Sequence, residues 1–266
     1  MKGQPCVSAG FPEPYAVTAD TYDRLVDYAI NQWGESPRPR MVDFMQHLWE
    51  DRSIPVHDVL EVCCGTGLMV EELHRRGYEV TGLDRSESML NIARTRLGEK
   101  VPLIQAELPK IPLEQQFDAV VCAAAALNYM PDEAHLGETF RSVASIVQPG
   151  GAFVFDILSR AMVTSTFGTS TWAADLGDLA FIWKFEGDAS GGYSDLTYTQ
   201  FQQRNGSADD AFTATRELHR LYALDRDVIR RLAGDAGFSD IAVFDNYSSR
   251  PADETTYYET WAMTRI

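Results

Sequence analysis

The sequence is poor in positive charge and has no long apolar run. Its 266 residues contain 23 Lys and Arg against 39 Asp and Glu, for a formal net charge of −16. This balance argues against nucleic acid as a partner, because phosphate-binding surfaces need clustered cations. No stretch approaches the roughly 20 apolar residues that cross a bilayer, and the first residues lack the apolar segment of a signal peptide. We therefore expect a cytoplasmic protein with no membrane partner.

Cysteine is also scarce. Only four cysteines occur, and Cys63 and Cys64 are adjacent within an apolar segment. A disulfide between such neighbours would be strained, so the sequence predicts free thiols. No metal site is predicted.

The N-terminal region is predicted to be an arm followed by helices. Residues 1 to 18 are rich in Gly and Pro and show no periodicity, so we expect a loose arm unless another segment docks it. Apolar residues then recur at helical spacing over 22–33 and, after Pro37 and Pro39, over 41–49. We assign 1–52 to this arm and its cap helices.

From Asp58 onward, short apolar runs alternate with helical stretches, which predicts βαβ units and a parallel sheet. The expected strands are Val59 to Val62, Glu79 to Leu83, Pro102 to Gln105, Phe117 to Cys122 and Ala152 to Ile157. The expected intervening helices follow Gly67 as far as Gly77, follow a Ser86 cap, and follow an Asp132 cap as far as Val147.

The region after Asp156 has a different pattern. Residues 179–185, 193–203 and 211–223 are extended and rich in aromatics and threonine, which predicts three antiparallel strands with an Asn205-Gly206 turn. A helix capped by Asp225 and ending at Gly237 should follow, then strands at 238–244 and 257–264. We assign 167–223 to an inserted β lid or dimerisation segment, and 53–166 with 224–266 to the main domain.

A buried strand that runs into a glycine-rich turn and a helix is the central motif, Val59-Leu60-Glu61-Val62-Cys63-Cys64-Gly65-Thr66-Gly67. Gly65 and Gly67 can adopt positive φ and let an adenosyl group approach the main chain. A nicotinamide dinucleotide site is the alternative, but its third glycine would fall at Val70. Glu61 suits a ligand that carries an α-amino group.

Acidic residues end successive strands. Asp84 lies nineteen residues after Gly65 and can accept both ribose hydroxyls. Glu107 follows the third strand and can accept the adenine amino group, with Met89 and Leu108 against the ring. The competing interpretation is that each acid merely caps a strand in solvent; the regular placement of Glu61, Asp84 and Glu107 favours a site.

The sequence resembles the class I S-adenosylmethionine-dependent methyltransferases over roughly residues 15 to 266. The resemblance is carried by the glycine motif above and by Gly82-Leu83-Asp84-Arg85-Ser86, Phe117-Asp118-Ala119-Val120-Val121-Cys122 and Gln148-Pro149-Gly150-Gly151. Leu127-Asn128-Tyr129 and Phe155-Asp156-Ile157 are similar to the small-molecule branch that includes antibiotic-tailoring N-methyltransferases. The resemblance implies an α/β, Rossmann-like seven-stranded sheet with helices on both faces, N-terminal helices and the inserted lid.

The same resemblance implies a set of cofactor contacts. Glu61, Gly65 and Gly67 would hold the methionine part, Asp84 the ribose, and the Cys122 backbone the cofactor amino group. An aspartate is commoner in the family where this chain has Glu61 and Glu107, so those contacts are expected to be slightly displaced. The full predicted set is Tyr22, Glu61, Cys63, Gly65, Gly67, Asp84, Arg85, Met89, Glu107, Leu108 and Cys122.

Fewer residues point to the methyl acceptor. In the family, an aromatic such as Tyr15 and the Tyr22-Asp23 pair belong to a segment that closes over the cofactor. Ala123 to Ala126 either widen an acceptor pocket or start a well-packed helix. Asn128 and Tyr129 either touch the acceptor or cap a turn. The predicted substrate residues are Ala124, Asn128 and Tyr129.

His219 is the candidate general base, because it lies on the third inserted strand, which should overhang the acceptor. Packing beside Glu217 is the competing interpretation. His47, His57, His74 and His135 are expected at the surface. With Tyr15, His219 completes the predicted catalytic pair.

The predicted function is N-methylation of a small amine in antibiotic metabolism, with S-adenosylhomocysteine as the coproduct. Without an obvious base, positioning is expected to be the main catalytic device. O- or C-methylation is the alternative within the fold, and a non-catalytic binding or assembly protein is the alternative outside enzymes. The aromatic strands of the lid also predict a homodimer.

Overall fold

The computed structural model describes residues 14–33, 37–166, 169–188, 190–204 and 211–266. The predicted Asn205-Gly206 turn and most of the predicted arm lie outside these ranges. The helices are α1 Ala19–Trp33, α2 Pro37–Asp51, α3 Leu68–Arg75, α4 Glu87–Leu97, α5 Glu133–Ile146 and α6 Arg226–Asp235.

Seven strands form the main sheet. They are β1 Asp58–Val62, β2 Glu79–Asp84, β3 Leu103–Gln105, β4 Phe117–Cys122, β5 Val147–Leu158, β10 Phe238–Asp245 and β11 Tyr258–Arg265. Their order is β10-β11-β5-β4-β1-β2-β3, with β1 to β5 parallel and β11 antiparallel to both neighbours. The predicted seven-stranded Rossmann-like sheet is confirmed.

Helices cover both faces of this sheet because adjacent strand residues point to opposite sides. On β1, Leu60 packs with Phe140 of α5 and Ile229 of α6. Its neighbour Val59 packs on the other face with Met45 of α2 and with residues of α3. Both faces of the main sheet are thus covered by apolar packing, and the carboxyl ends of β1, β2 and β4 lie at the edge between these two layers.

All three predicted helix starts are confirmed, but the predicted side-chain cap forms at only two of them. The Ser86 hydroxyl accepts the Met89 N–H at 3.3 Å, and Asp132 accepts the His135 N–H at 2.9 Å. Asp225 precedes α6, but its side chain makes no capping bond and accepts Arg160 at 3.2 Å instead. Asp225 therefore marks the helix start without capping it.

Val147 belongs to a strand and not, as predicted, to the end of α5. The helical pattern placed it at the end of α5, whereas it is the first residue of β5 and pairs with Phe117. The strand then makes a close approach at Gly151, where a Cβ would lie 2.6 Å from the Asp118 carbonyl oxygen. The strand therefore starts five residues before the predicted Ala152.

A second, antiparallel sheet lies after β5, in the order β6-β7-β8-β9. Its strands are β6 Thr171–Asp175, β7 Leu179–Gly187, β8 Tyr193–Gln203 and β9 Phe212–Tyr222. Three of the four were expected. The sequence pattern missed β6 because its five residues are mostly exposed and lack an alternation of apolar and polar side chains.

This second sheet packs beside the carboxyl ends of the main strands. Phe185 and Leu221 contact Ala125 and Leu158, which follow β4 and end β5. On the other side, α1 packs its Leu25 against the sheet. The inserted sheet and α1 thus form walls around the end of the main sheet.

Asp156 of β5 ties down the turn after β4. Its carboxylate accepts the N–H groups of Ala124 and Ala125 and the Tyr247 hydroxyl, the last at 2.6 Å. Burial raises the pKa of Asp156 to about 6, against the effect of these hydrogen bonds. Ala124 and Ala125 have φ values of 63° and 57°, a conformation that costs alanine energy. The carboxylate offsets that cost.

We expect Asp156→Ala to lower the free energy of unfolding by about 3 kcal/mol, because it leaves buried N–H groups unpaired in a strained turn. Tyr247→Phe removes one of the three bonds and should cost about 1 kcal/mol. Urea unfolding followed by circular dichroism measures both. Equal losses in the two variants would contradict the role assigned to the carboxylate.

Candidate functional site

A cavity of about 360 Å³ opens at the carboxyl ends of β1, β2 and β4. This is the edge at which open parallel sheets bind ligands. Eleven of the predicted site residues line it: Tyr15, Tyr22, Cys63, Gly65, Asp84, Arg85, Met89, Glu107, Leu108, Ala124 and Tyr129. Five do not: Glu61, Gly67, Cys122, Asn128 and His219.

The two glycines of the turn after β1 have different surroundings. Both have positive φ, 54° at Gly65 and 79° at Gly67. A Cβ on Gly65 would meet nothing within 4 Å, whereas on Gly67 it would lie 2.9 Å from Leu97 and 3.2 Å from Ala93 of α4. Gly65 therefore leaves backbone open to the cavity. Gly67 instead allows the start of α3 to pack closely on α4, and its contact with the ligand stays a prediction.

Asp84 connects the ends of β1 and β2. One carboxylate oxygen accepts the Gly65 N–H at 2.8 Å, and the other accepts the Ser86 N–H at 2.8 Å. Burial raises the pKa of Asp84, although these backbone bonds oppose the rise. Each oxygen keeps a lone pair for a ligand. Asp84 thus both shapes the glycine turn and faces the cavity.

Glu61 lies just behind the cavity, at the end of β1. Its side chain is buried, and its Oε2 has no hydrogen-bond partner. Burial raises the pKa of Glu61 well above its usual value. A buried carboxylate oxygen without a partner is costly, so this atom is suited to a ligand that brings a cationic N–H group.

The opposite end of the cavity is apolar with a charged rim. Met89 and Leu108 are buried and give this end an apolar lining. At the rim, Arg85 and Glu107 form an ion pair at 3.2 Å, and the Glu107 side chain is 69% exposed. Glu107 therefore reaches a ligand only at the mouth of the cavity.

The last five residues of the predicted arm are docked rather than loose. Tyr15 packs edge-on against Tyr22 at 5.6 Å between ring centroids, and its hydroxyl bonds that of Tyr129 at 3.0 Å. The Glu217 carboxylate of β9 accepts the N–H groups of Tyr15, Val17 and Thr18 at 2.7 to 3.1 Å. Three tyrosine rings thereby line one side of the cavity.

His219 lies on β9, as expected, but one layer behind the cavity. It is buried, its Nδ1 is 2.8 Å from the Tyr129 hydroxyl, and its Nε2 is 3.2 Å from Glu217. Its ring packs against Tyr15 at 4.8 Å. His219 therefore does not line the cavity but contacts two tyrosines that do, and its role as the general base stays a prediction.

Asn128, which was predicted either to touch the acceptor or to cap a turn, does not line the cavity. It is fully buried, its amide nitrogen donates to the carbonyls of Leu158 and Tyr222, and its amide oxygen accepts the Leu158 N–H at 2.8 Å. These bonds hold the end of β5 against the end of β9. Asn128 therefore braces the wall of the cavity from a fully buried position.

Sequence comparison identifies the family. The model of the methyltransferase domain matches residues 59–151. YqeM of Bacillus subtilis (strain 168), which carries the name of a methyltransferase, is 33% identical over 209 residues, covering 76% of this chain and 78% of that one. The chain belongs to the methyltransferase family. Ubiquinone biosynthesis O-methyltransferase of Stutzerimonas stutzeri (strain A1501) is 34% identical over 119 residues, 42% of this chain and 50% of its own.

Solved structures share the fold of this methyltransferase. A S-adenosylmethionine-dependent methyltransferase from Clostridium acetobutylicum ATCC 824 superposes with a TM-score of 0.82 at 20% identity, over 92% of this chain and 98% of that one. The sugar N-methyltransferase KedS8 from Streptoalloteichus sp ATCC 53650 gives 0.74 at 16% identity, over 100% and 98%. The predicted enzyme class and the fold of S-adenosylmethionine-dependent methyltransferases are confirmed.

Sequence reasoning missed part of the methyltransferase cavity. His135 is exposed, as expected, but it also lines the cavity from the first turn of α5, with its Nδ1 2.8 Å from Asp132. The start of a helix after a parallel strand lies at the carboxyl edge of the sheet, and this signal could have located His135. Ala123 and Ala126, for which the sequence left a pocket role open, also line the cavity, and the other unpredicted lining residues are Ser86, Ala106, Met130 and Pro131.

Among the described residues, no group of three or more His, Cys, Asp or Glu side chains is placed to hold a metal ion. Within the same part of the chain, no helix is long and apolar enough to span a membrane.

The two glycines of the turn permit a matched test. Gly65→Ala should cost about 1 kcal/mol of stability for the positive φ and should weaken S-adenosylhomocysteine binding about 10-fold or more, because the methyl group fills open cavity. Gly67→Ala should cost about 2 kcal/mol more through overpacking against α4, with little change in affinity. Urea unfolding and isothermal titration calorimetry measure these effects. Unchanged affinity in Gly65→Ala would exclude a ligand at this turn.

Proposed function

We propose that this methyltransferase transfers a methyl group from S-adenosylmethionine to a small-molecule amine. The single observation that carries the proposal is the cavity where open backbone at Gly65 and the carboxylate of Asp84 meet, with the unpartnered Glu61 oxygen just behind. A sulfonium nucleoside with an α-amino group matches these three features. The net charge of −16 also disfavours a nucleic-acid substrate.

The proposed donor contacts follow from this arrangement. Glu61 accepts the α-amino group, which gives its buried Oε2 the partner that it lacks. Asp84 accepts the ribose hydroxyls with the lone pairs that its two backbone bonds leave free. The adenine ring lies between Met89 and Leu108, with Glu107 at the rim.

The donor supplies an electrophilic methyl carbon on sulfur, and the chain has to align a nucleophile with it. Ala124 and Ala126 keep part of the cavity lining small, and Tyr129 with the docked Tyr15 and Tyr22 contributes aromatic rings to the same lining. Tyrosine rings attract cationic groups and exclude water. Alignment of the two reactants and exclusion of water are the main catalytic effects in this proposal.

Nitrogen is the proposed acceptor atom. A structural neighbour of nearly the same extent, KedS8, carries the name of a sugar N-methyltransferase. The fold shared with CalS10, an amino pentose methyltransferase from Micromonospora echinaspora involved in calicheamicin biosynthesis, motivates the placement of the enzyme in antibiotic metabolism. Oxygen is the second candidate, because the curated relatives include O-methyltransferases and because His219 contacts Tyr129 at the wall of the cavity.

The proposal is tested by incubating the protein with S-adenosylmethionine labelled on its methyl group and a panel of amino sugars, simple amines and phenols. Label on nitrogen is expected. Label on a phenolic oxygen would favour the second candidate. Heat on titration with S-adenosylhomocysteine without transfer to any acceptor would favour a non-catalytic binding protein, and no heat at all would refute the donor site. Asp84→Ala is the matched control and should lose both signals.

A homodimer is proposed through the second sheet. Its strand order leaves β6 at an edge, and Trp172 of β6, Ile182 of β7 and Phe212 of β9 are 38% to 40% exposed. Edge strands that carry exposed apolar residues tend to pair with another chain.

Light scattering at micromolar concentration should give twice the chain mass of 29.7 kDa. Ala173→Pro, which blocks pairing at the β6 edge, should give the monomer mass. A monomeric wild-type protein would contradict the proposal.

A further inference from the structure

A continuous chain of hydrogen bonds runs from the cavity into the protein. The Tyr15 and Tyr129 hydroxyls are 3.0 Å apart, Tyr129 lies 2.8 Å from His219 Nδ1, and His219 Nε2 lies 3.2 Å from Glu217 Oε2. The two tyrosines line the cavity, whereas His219 and Glu217 are buried behind them. This series of hydrogen bonds therefore joins the acceptor side of the cavity to an internal carboxylate.

The Glu217 carboxylate determines which atom donates in each hydrogen bond of this series. Burial raises the pKa of Glu217, but the hydrogen bonds from His219, Val17, Thr18 and Tyr15 outweigh burial, so the net pKa is lowered. An ionised carboxylate can only accept, and His219 must therefore carry its proton on Nε2. His219 Nδ1 then accepts the Tyr129 O–H, and the Tyr129 oxygen accepts the Tyr15 O–H. The Tyr15 oxygen keeps free lone pairs at the cavity.

The two tyrosines are suited to pass a proton on without storing charge. Burial raises the pKa of both Tyr15 and Tyr129 above the usual tyrosine value. A standing tyrosinate is therefore disfavoured at either position. Each phenol can still accept one proton and release another in the same event.

We propose that Tyr15, Tyr129, His219 and Glu217 form a proton relay that deprotonates the methyl acceptor. This inference rests on the proposed function. An acceptor ammonium gives a proton to the Tyr15 oxygen, Tyr15 gives its proton to Tyr129, and Tyr129 gives its proton to His219 Nδ1. The freed nitrogen lone pair forms the bond to the methyl carbon, the carbon–sulfur bond breaks, and its electron pair stays on sulfur. The product is a methylated ammonium, and His219 holds the proton beside Glu217.

The relay also depends on the docked segment that contains Tyr15. Besides His219, Glu217 accepts the backbone N–H groups of Tyr15, Val17 and Thr18 and the Thr18 hydroxyl. The same carboxylate thus positions the first and third members of the relay. Undocking of residues 15 to 18 would remove Tyr15 and the N–H donors of Glu217 together, so the proton acceptor is complete only in the closed cavity.

The first test needs no acceptor. Nitrogen-15 NMR of the histidine-labelled protein, with the His219 signal assigned from its loss in His219→Ala, should show protonated Nε2 and bare Nδ1. Glu217→Gln should abolish this preference, because an amide can donate as well as accept. Protonated Nδ1 in the wild-type protein would overturn the relay even if donor binding and methyl transfer are intact.

The second test is kinetic, with the amine that the wild-type protein methylates fastest in the panel above. Tyr129→Phe should lower kcat about 100-fold, the usual size of a general base effect, with KM for the donor and S-adenosylhomocysteine affinity unchanged. Tyr257→Phe, at a side chain 58% exposed, is the matched control. Unchanged kcat in Tyr129→Phe would refute the relay. If the wild-type protein does not bind S-adenosylhomocysteine, the donor site is refuted instead.

Discussion

Buried carboxylates that accept backbone N–H groups hold the walls of the cavity. Asp84 binds the turn after β1, Asp156 binds the turn after β4, and Glu217 binds the N-terminal segment. Charge-assisted bonds of this kind are about twice as strong as neutral ones, and those of Asp156 offset the cost of positive φ at Ala124 and Ala125. The shape of the cavity therefore depends on three acidic side chains that are themselves shielded from solvent.

The main sheet could be predicted because its signals are local. Each of β1 to β5 is a short apolar run bounded by turn residues, and Ser86 and Asp132 bind N–H groups only three residues away. The failures also have local causes. Val147 fits a helical stripe, so only its pairing with Phe117 across the sheet reveals a strand. β6 is too short and too exposed to leave a periodic pattern.

The donor side of the cavity was predictable for the same reason. Gly65 follows β1 and Asp84 ends β2, at a spacing that brings them into contact. The acceptor side instead depends on how distant segments meet. Glu217 bonds Tyr15 across 202 residues of sequence, and no periodicity or motif indicates that pairing. The burial of Asn128 and the position of His219 behind Tyr129 also follow from the packing of β9 against the end of β5.

The bond between the N-terminal segment and β9 has a consequence for biosynthesis. During translation, Tyr15 leaves the ribosome long before the β9 residues that bind it are synthesised. Strands β1 to β5 can assemble in that interval. The side of the cavity that Tyr15 lines therefore remains open during translation of the intervening segment. Closure is a late folding event, as expected when contacts of very long sequence separation form after the local ones.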